Sequence, residues 1–324
     1  MDILLTTLLS PITLSFVAGC AAALMGLELK VPKRALQLFT NLLLFAIGID
    51  GGRGLSASDL RDLGAGLAVA LSLILLLPAL SYLIARRITR FSVADSAALA
   101  ALYGSVSSAV LMAAYVESGD MDLAIDGFVM GMAALMELGT LVALMIGTVA
   151  LRRETGGVSA NHPGIRNIVG GGFLLLFFGL FIGWLIGDRS FGRIETMAQL
   201  ILTGALMLFM LEIGMVTASE LRKLRASAAR LVVFALVMPS VGGIVGTLLA
   251  TLAGLSPGSV FVLGAVAASA SFINAPPLVR MSFPAADPSI YLTCALGITF
   301  PVLLLVGLPL IAQLTLFWQR LFVA

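Results

Sequence analysis

In the middle of a long apolar run the chain reads Ala268-Ser269-Ala270-Ser271-Phe272-Ile273-Asn274-Ala275-Pro276-Pro277. A second apolar run is interrupted by Tyr103-Gly104-Ser105-Val106-Ser107-Ser108. Pro276 and Pro277 have no amide hydrogen and clash with a preceding helical turn, whereas proline suits the first positions of a new helix. The sequence therefore predicts an unwound stretch followed by a new helix start within an apolar span.

The composition around these segments is that of a membrane protein. Of the 324 residues, 60% are hydrophobic and 11% are charged, and the mean hydropathy is +1.11, whereas soluble domains carry about 25% charged residues. A spanning helix needs about 20 apolar residues, and ten stretches qualify. Their approximate bounds are 10–28, 35–51, 63–85, 94–116, 124–151, 166–187, 194–219, 227–254, 258–282 and 288–318. We therefore expect an all-α polytopic membrane protein whose interrupted helices are the fourth and the ninth.

The chain also contains an internal repeat. The segment around Ser58 resembles the segment around Ser219, 161 residues later, and Ser107 resembles Ser271, 164 residues later. Each copy holds five spans, an odd number, so the second copy enters the membrane from the opposite side. We predict two inverted five-helix repeats, 1–155 and 165–324, joined by a cytoplasmic linker at 156–164. The single histidine, His162, falls in that linker and is expected to be a loop residue.

The basic residues predict the orientation in the membrane. Most of the 19 Lys and Arg fall in loops that share one side, and the positive-inside rule makes that side cytoplasmic. An expected outer loop bearing Glu117, Asp120, Asp122 and Asp126 has no cation. The sequence thus predicts a multi-pass protein of the plasma (inner) membrane with both termini outside.

Several function classes find no support in the sequence. There is no phosphate-binding glycine loop, zinc-type spacing or Ser-His-Asp arrangement, so we expect neither an enzyme nor an organic cofactor. A net charge of +2 is too small to indicate nucleic-acid binding. Cys20 and Cys294 lie within apolar spans and are expected to be packing residues.

The two interruptions predict an anion site. Broken backbone is tolerated at membrane depth only if it is buried in protein or lines a wet cavity, and a helix N-terminus carries about +0.5 of an elementary charge. In an inverted repeat two such helix starts converge at the midplane. The candidate anion-binding residues are Gly104, Ser105, Ser107, Ser108, Ser269, Ser271, Asn274 and Ala275. The alternative is that these small residues only pack helices together, as we expect for Gly242 and Gly246.

Three carboxylates within or near the spans are candidates for a coupled cation, because charges at that depth are costly. Glu137 lies deepest and is preferred, with oxygens of Thr140, Asn274 and Ser271 completing the site. A buried, protonated structural acid is the alternative for Glu137. Asp50 and Glu212 lie closer to span ends, where a solvated interfacial position is equally expected.

The chain resembles the sodium-dependent bicarbonate transporter family. The resemblance covers nearly the full length and rests on Ile47–Gly52, Tyr103–Ser107, Ala133–Glu137, Glu220–Lys223, Ala267–Ser271, Asp287–Leu292 and Ile298–Pro301. It implies bicarbonate carried inward with sodium as the coupling ion, a core part moving against a gate part, and a homotrimer. It also implies that a PII-like regulatory protein can dock on the cytoplasmic face.

The chain departs from the cyanobacterial members of that family near the second interruption. Those members carry an aspartate in place of Phe272 and a serine in place of Asn274. A proline follows their acid at the Glu137 position, where this chain has Leu138-Gly139. The departures concern the sodium site and the choice of anion.

The expected function is therefore sodium-coupled bicarbonate import by alternating access. The alternative transporter is a proton-coupled or uncoupled carrier of another small anion, with Glu137 as the proton site. From a different class, the chain could be a membrane receptor or scaffold that binds an anion without moving it. A membrane enzyme fits least.

Overall fold

The fold is helical throughout the part of the chain that can be described. The computed structural model describes residues 8–27, 33–155, 171–187, 192–222 and 229–322, and within these ranges no β-strand occurs. The predicted linker 156–164, with His162, lies outside the described residues.

Residues 8–27 and 33–155 form seven α-helices. They are α1 (Pro11–Leu24), α2 (Lys33–Ala57), α3 (Leu60–Arg87), α4 (Val93–Tyr103), α5 (Ser108–Asp120), α6 (Val129–Leu135) and α7 (Gly139–Thr155). A short 3₁₀ turn, Met136–Leu138, joins α6 to α7.

The second half follows a similar order. Its helices are α8 (Gly171–Ile186), α9 (Gly192–Arg222), α10 (Ala229–Leu252), α11 (Pro257–Ala267), α12 (Ala275–Ser282), α13 (Pro288–Leu292), α14 (Phe300–Val302) and α15 (Leu308–Phe322). Two π-helical segments, Thr293–Thr299 and Leu303–Gly307, make 288–322 one continuous helical stretch.

Six helical stretches are long and apolar enough to cross a bilayer. Within the described ranges they are Arg61–Arg87, Val93–Asp120, Val129–Glu154, Thr203–Leu221, Ala229–Leu252 and Pro288–Phe322. Pro11–Leu24, Leu174–Ile186 and Pro257–Ala267 are shorter apolar helices. The expectation of an all-α, multi-pass membrane protein is confirmed.

Helix starts follow local chemistry. Ser10 caps α1 by accepting the amide of Thr13 at 3.2 Å, and Ser92 caps α4 by accepting the amide of Asp95 at 3.0 Å. Pro257 opens α11, because its missing N–H is one that a first helical turn leaves unbonded.

Glycines bring α2 and α8 into backbone contact. A Cβ on Gly52 would lie 2.0 Å from the carbonyl oxygen of Leu180, and one on Gly183 would lie 2.1 Å from that of Ile49. The pair α1 and α9 is built in the same way, since a Cβ on Gly19 would lie 1.8 Å from the carbonyl oxygen of Leu211. Small residues allow this close approach between membrane helices. The four helices α1, α2, α8 and α9 therefore pack as two glycine-mediated pairs.

The packing expected for Gly242 and Gly246 is confirmed. A Cβ on Gly242 would lie 2.1 Å from the carbonyl oxygen of Ala267, and one on Gly246 would lie 2.7 Å from the Cβ of Ala267. These glycines of α10 thus hold the C-terminal end of α11, next to the second interruption.

The two cysteines are free, as expected. Cys294 is fully buried, and the Cys20 thiol donates to the carbonyl of Gly214 at 3.2 Å.

The loop position predicted for Glu117 was wrong. Helix α5 continues to Asp120, so Glu117 lies within it and is only 2% exposed. Four acidic residues after position 116 predicted an outer loop, but helical hydrogen bonding continues to Asp120 and Glu117 is buried.

Candidate functional site

The two interrupted stretches contact each other directly. Helix α4 ends at Tyr103 and α5 begins at Ser108, while α11 ends at Ala267 and α12 begins at Ala275. The backbone amide of Ser107 donates to the Ser269 hydroxyl at 2.9 Å, and the amide of Ser271 donates to the carbonyl of Leu102 at 2.8 Å. Each interruption therefore gives an amide to the other.

These two connections join pairs of residues that have the same spacing in the sequence. Ser107 and Ser271 are 164 residues apart, and so are Leu102 and Val266. The Ser271 amide reaches the Leu102 carbonyl directly, whereas the Ser107 amide reaches the Val266 carbonyl through the Ser269 hydroxyl, which donates to it at 2.7 Å. The two links therefore differ by one inserted hydroxyl, that of Ser269.

The start of α5 combines a helix N-terminus with two hydroxyls that have no hydrogen-bond partner among the described residues. The Ser107 side chain accepts the amide of Val110 at 3.4 Å and so caps the helix. Ser105 is 1% exposed and Ser108 is 9% exposed. Among residues 8–27, 33–155, 171–187, 192–222 and 229–322, no hydrogen bond involves either hydroxyl. Buried hydroxyls normally find a partner, so these two are available to a ligand.

The start of α12 is chemically different. Its first amide, of Ala275, donates to the Ser271 hydroxyl at 3.4 Å, and Pro276 and Pro277 bring no amide hydrogen. Helix α12 therefore contributes the field of its dipole but few amide donors. The two helix starts expected to act alike are unequal, and the donor-rich one is α5.

Glu137 connects the fifth predicted span to the second interruption. Its Oε1 accepts the side-chain amide of Asn274 at 3.0 Å. Glu137 and Asn274 are half-buried, as are Phe272 and Ile273, whereas Ser271 and Ala275 on either side of that run are buried. Glu137 therefore lies beside the second interruption and is only partly buried.

The same span also packs against the first interruption. A Cβ on Gly139 would lie 1.7 Å from the carbonyl oxygen of Gly104, so only glycine fits there. One residue further on, the Thr140 hydroxyl donates to the carbonyl of Ala101 at 3.4 Å. The 3₁₀ turn thus lies between the two interruptions, and every residue predicted for the anion and cation sites falls in this one region.

The acidic residues outside this region have other surroundings. Asp50 is half-buried with its side chain 42% exposed, and its carboxylate lies 4.0 Å from the Arg53 guanidinium, which is consistent with its solvated alternative. Glu212 is 9% exposed, and its Oε2 has no hydrogen-bond partner among the described residues. Among the described residues, no group of three or more His, Cys, Asp or Glu side chains lies close enough together to hold a metal ion. A cation beside Glu137 would therefore be held by one carboxylate and neutral oxygens.

Two side-chain contacts at the interruptions were not predicted from the sequence. The Tyr103 hydroxyl donates to that of Thr299 at 2.6 Å, because the Thr299 hydroxyl gives its own hydrogen to the Ala235 carbonyl at 2.8 Å. The ring of Phe300 packs edge-on against Phe272, with 5.2 Å between centroids. Thr299 and Phe300 belong to a segment that resembles the family, but no spacing in the sequence pointed from Tyr103 to Thr299.

Comparison with known proteins identifies the family. Residues 11–316 match the family model described as the Na⁺-dependent bicarbonate transporter superfamily. A comparison with individual curated proteins gave no match. The matched range covers nearly all of the chain and includes both interruptions and Glu137. The chain therefore belongs to the Na⁺-dependent bicarbonate transporter superfamily.

Proposed function

We propose that this protein imports bicarbonate together with sodium by alternating access across the plasma membrane. Membership of the superfamily supports bicarbonate and sodium as the transported ions. The mechanism would use ten spans arranged as two inverted repeats, with the anion held where the two interrupted helices meet.

The observation that carries this proposal is the junction of the two interruptions. The amides of Ser107 and Ser271 hold the interruptions together, while the hydroxyls of Ser105 and Ser108 beside the start of α5 are left without a described partner. Amides, hydroxyls and a helix dipole can bind a small oxyanion without a cationic side chain. A site of low positive charge also lets the anion leave again.

Glu137 is the proposed link between anion and cation. A bare carboxylate near the anion would repel it, whereas a sodium ion on that carboxylate would offset the repulsion. The proposed ligands are the Glu137 carboxylate and oxygens of Thr140, Asn274 and Ser271, with backbone carbonyls of the interruptions. Sodium would in this way favour loading of both ions before the site moves.

Alternating access needs two parts that slide, and the helix pairs suggest which they are. The gate part would be α1, α2, α8 and α9, and the core part would hold the interrupted helices. One polar contact between them joins the Thr217 hydroxyl of α9 to the Leu296 carbonyl at 3.1 Å. Nearby, Gly297 of the core part faces Glu220 of α9, and a Cβ on Gly297 would lie 3.4 Å from the Glu220 Cβ.

A transport screen in proteoliposomes tests the proposal. Uptake of bicarbonate, sulfate, acetate and further monocarboxylates would be measured at two sodium concentrations, with potassium as the replacement ion. We expect bicarbonate to be taken up and sodium to increase its uptake. Uptake of another anion that is indifferent to sodium would support the proton-coupled or uncoupled carrier. Binding without uptake of any anion would support the receptor.

The proposed assembly is inferred from the family resemblance. A homotrimer and a PII-like regulator on the cytoplasmic face are the expected partners, and light scattering of the detergent-solubilised protein tests the first. A mass of one or two chains per particle would contradict the trimer.

A further inference from the structure

The N-terminus of α4 is tied to the turn before α13. Asp95, in the first turn of α4, accepts the backbone amide of Asp287 through Oδ1 at 2.8 Å. Its Oδ2 accepts the Ser92 hydroxyl at 2.6 Å, and the residue is 9% exposed. The Asp287 side chain has a separate task, since it accepts the amide of Ser289 at 2.9 Å and caps α13. We call the Asp95–Asp287 connection the first clasp.

The N-terminus of α11 is tied to the turn before α6. The Ser259 hydroxyl accepts the backbone amide of Asp126 at 2.8 Å, and the Asp126 carboxylate accepts the amide of Ser256 at 2.9 Å. The amide of Gly258 donates to the Ala124 carbonyl at 2.7 Å. We call the Ser259–Asp126 connection the second clasp.

The two clasps are the same connection made twice. Their equivalent residues are Ser92 and Ser256, 164 apart, Asp95 and Ser259, 164 apart, and Asp126 and Asp287, 161 apart. In both, a side chain in the first turn of an interrupted helix accepts an amide from the loop before the last span of the other repeat. Each clasp therefore fixes one repeat to the other.

The clasps lie at opposite ends of the interrupted helices. Helices α4 and α5 belong to a single apolar stretch, Val93–Asp120. The first clasp lies at its beginning, whereas Asp126, in the second clasp, follows its end. The interruption from 104 to 107, where Ser107 meets Ser269, is therefore held between them.

The clasps add polar connections at the helix ends to packing that is made mostly by small side chains. Every residue of α4 is buried, and most are alanine or other small side chains that interlock weakly. A slip of one residue moves a helix by about 1.5 Å, enough to break the 2.9 Å bond between the Ser107 amide and the Ser269 hydroxyl. Polar connections at the helix ends can add to the restraint against such a slip.

We infer that Asp95 and Ser259 are positioning residues that set the axial register of the two interruptions and thereby the affinity of the anion site. The inference rests on the proposed transport site, because it is that site whose geometry the register controls. The two residues act through the helices and do not touch the anion.

The repeat itself provides the test. Asp95→Ala and Ser259→Ala remove the acceptor of each clasp, whereas Asp95→Ser and Ser259→Asp give each repeat the residue of the other. In sodium-driven bicarbonate uptake we expect each alanine variant to raise the half-saturating bicarbonate concentration about tenfold, the effect of losing about 1.4 kcal/mol of binding. The exchanged variants should stay near the native value. Asp287→Ala is the matched control, because it keeps the backbone donor of the first clasp and loses only the cap of α13.

A second readout does not need bicarbonate. In a Cys20→Ala, Cys294→Ala background, the pair Ser107→Cys and Ser269→Cys reports the register through its rate of disulfide formation. Asp95→Ala should slow that rate severalfold and Asp95→Ser should not. Unchanged cross-linking in Asp95→Ala, or alanine variants that lower only the maximal rate, would overturn the inference. If the native chain does not transport bicarbonate, the proposed function fails while the cross-linking result still decides on the clasps.

Discussion

At the scale of single residues, the serines of the two interruptions fall into two groups. The hydroxyls of Ser107, Ser269 and Ser271 are used by the protein, as helix caps or as the bridge between interruptions. The hydroxyls of Ser105 and Ser108 have no partner within the described ranges, although both residues are buried. Substitutions should therefore separate residues that build the site from residues that bind the anion.

Ser105→Ala and Ser108→Ala should weaken binding of the anion and leave the fold intact. A hydrogen bond to a charged group contributes about 1.5–3 kcal/mol, so each variant should lose roughly tenfold or more in anion affinity. Their thermal unfolding temperature in detergent should stay close to the native value, because no protein hydrogen bond is lost. Ser72→Ala is the control, since the Ser72 hydroxyl bonds only the Ala68 carbonyl of its own helix. Native affinity in both site variants would assign these serines to helix packing.

Glu137→Gln tests which ion is coupled. Glutamine retains a side-chain oxygen for the Asn274 amide but loses the charge, so we expect the protein to fold and its sodium dependence to disappear. The measurement is bicarbonate uptake as a function of sodium concentration at constant ionic strength. Loss of a response to pH with an intact response to sodium would instead favour the proton-coupled alternative.

At the scale of helices, backbone contacts at glycine hold the interruptions in place. Gly139, at the start of α7, has no room for a Cβ against the Gly104 carbonyl, whereas a Cβ on Gly204 in α9 would meet no atom within 4 Å. The first position joins α7 to the interruption between α4 and α5. The second faces open space.

Gly139→Ala and Gly204→Ala should therefore have opposite effects. Overpacking at Gly139 should cost about 1–3 kcal/mol of stability and displace the Gly104 backbone, so transport should fall with it. Gly204→Ala should be neutral or stabilising by up to about 1 kcal/mol, because alanine favours a helix interior over glycine. Thermal unfolding and uptake measured together check this, and a Gly139→Ala variant with native transport would contradict the described packing.

The sequence predicted those features of the helices that depend on composition and spacing. The small, polar residues at 104–107 and 268–274 and the pair Pro276-Pro277 marked where helices end and begin, and the 164-residue spacing related Ser107 to Ser271. It missed features that depend on packing in three dimensions. The buried position of Glu117 and the bond between Tyr103 and Thr299 join elements whose proximity no local pattern encodes.

At the scale of the whole molecule, the proposed orientation follows from an odd number of spans in each of the two predicted repeats. Ten spans would place both termini on the same side, and the basic loops predict that this side is outside. Alkaline phosphatase fused to either terminus should be active, and a cytoplasmic fluorescent reporter fused there should be dark. A pair of reporters that disagree between the termini would rule out an even number of spans.

The most direct test of the account is accumulation driven by a sodium gradient alone. Proteoliposomes would receive labelled bicarbonate at equal concentration inside and outside, at alkaline pH so that little dissolved CO₂ crosses, with sodium outside and potassium inside. Because two ions bound at one junction must move together, bicarbonate should rise inside above its external concentration and fall back when the sodium gradient is collapsed. Bicarbonate that stays at equal concentration on both sides, in vesicles whose sodium gradient is intact, would contradict the account.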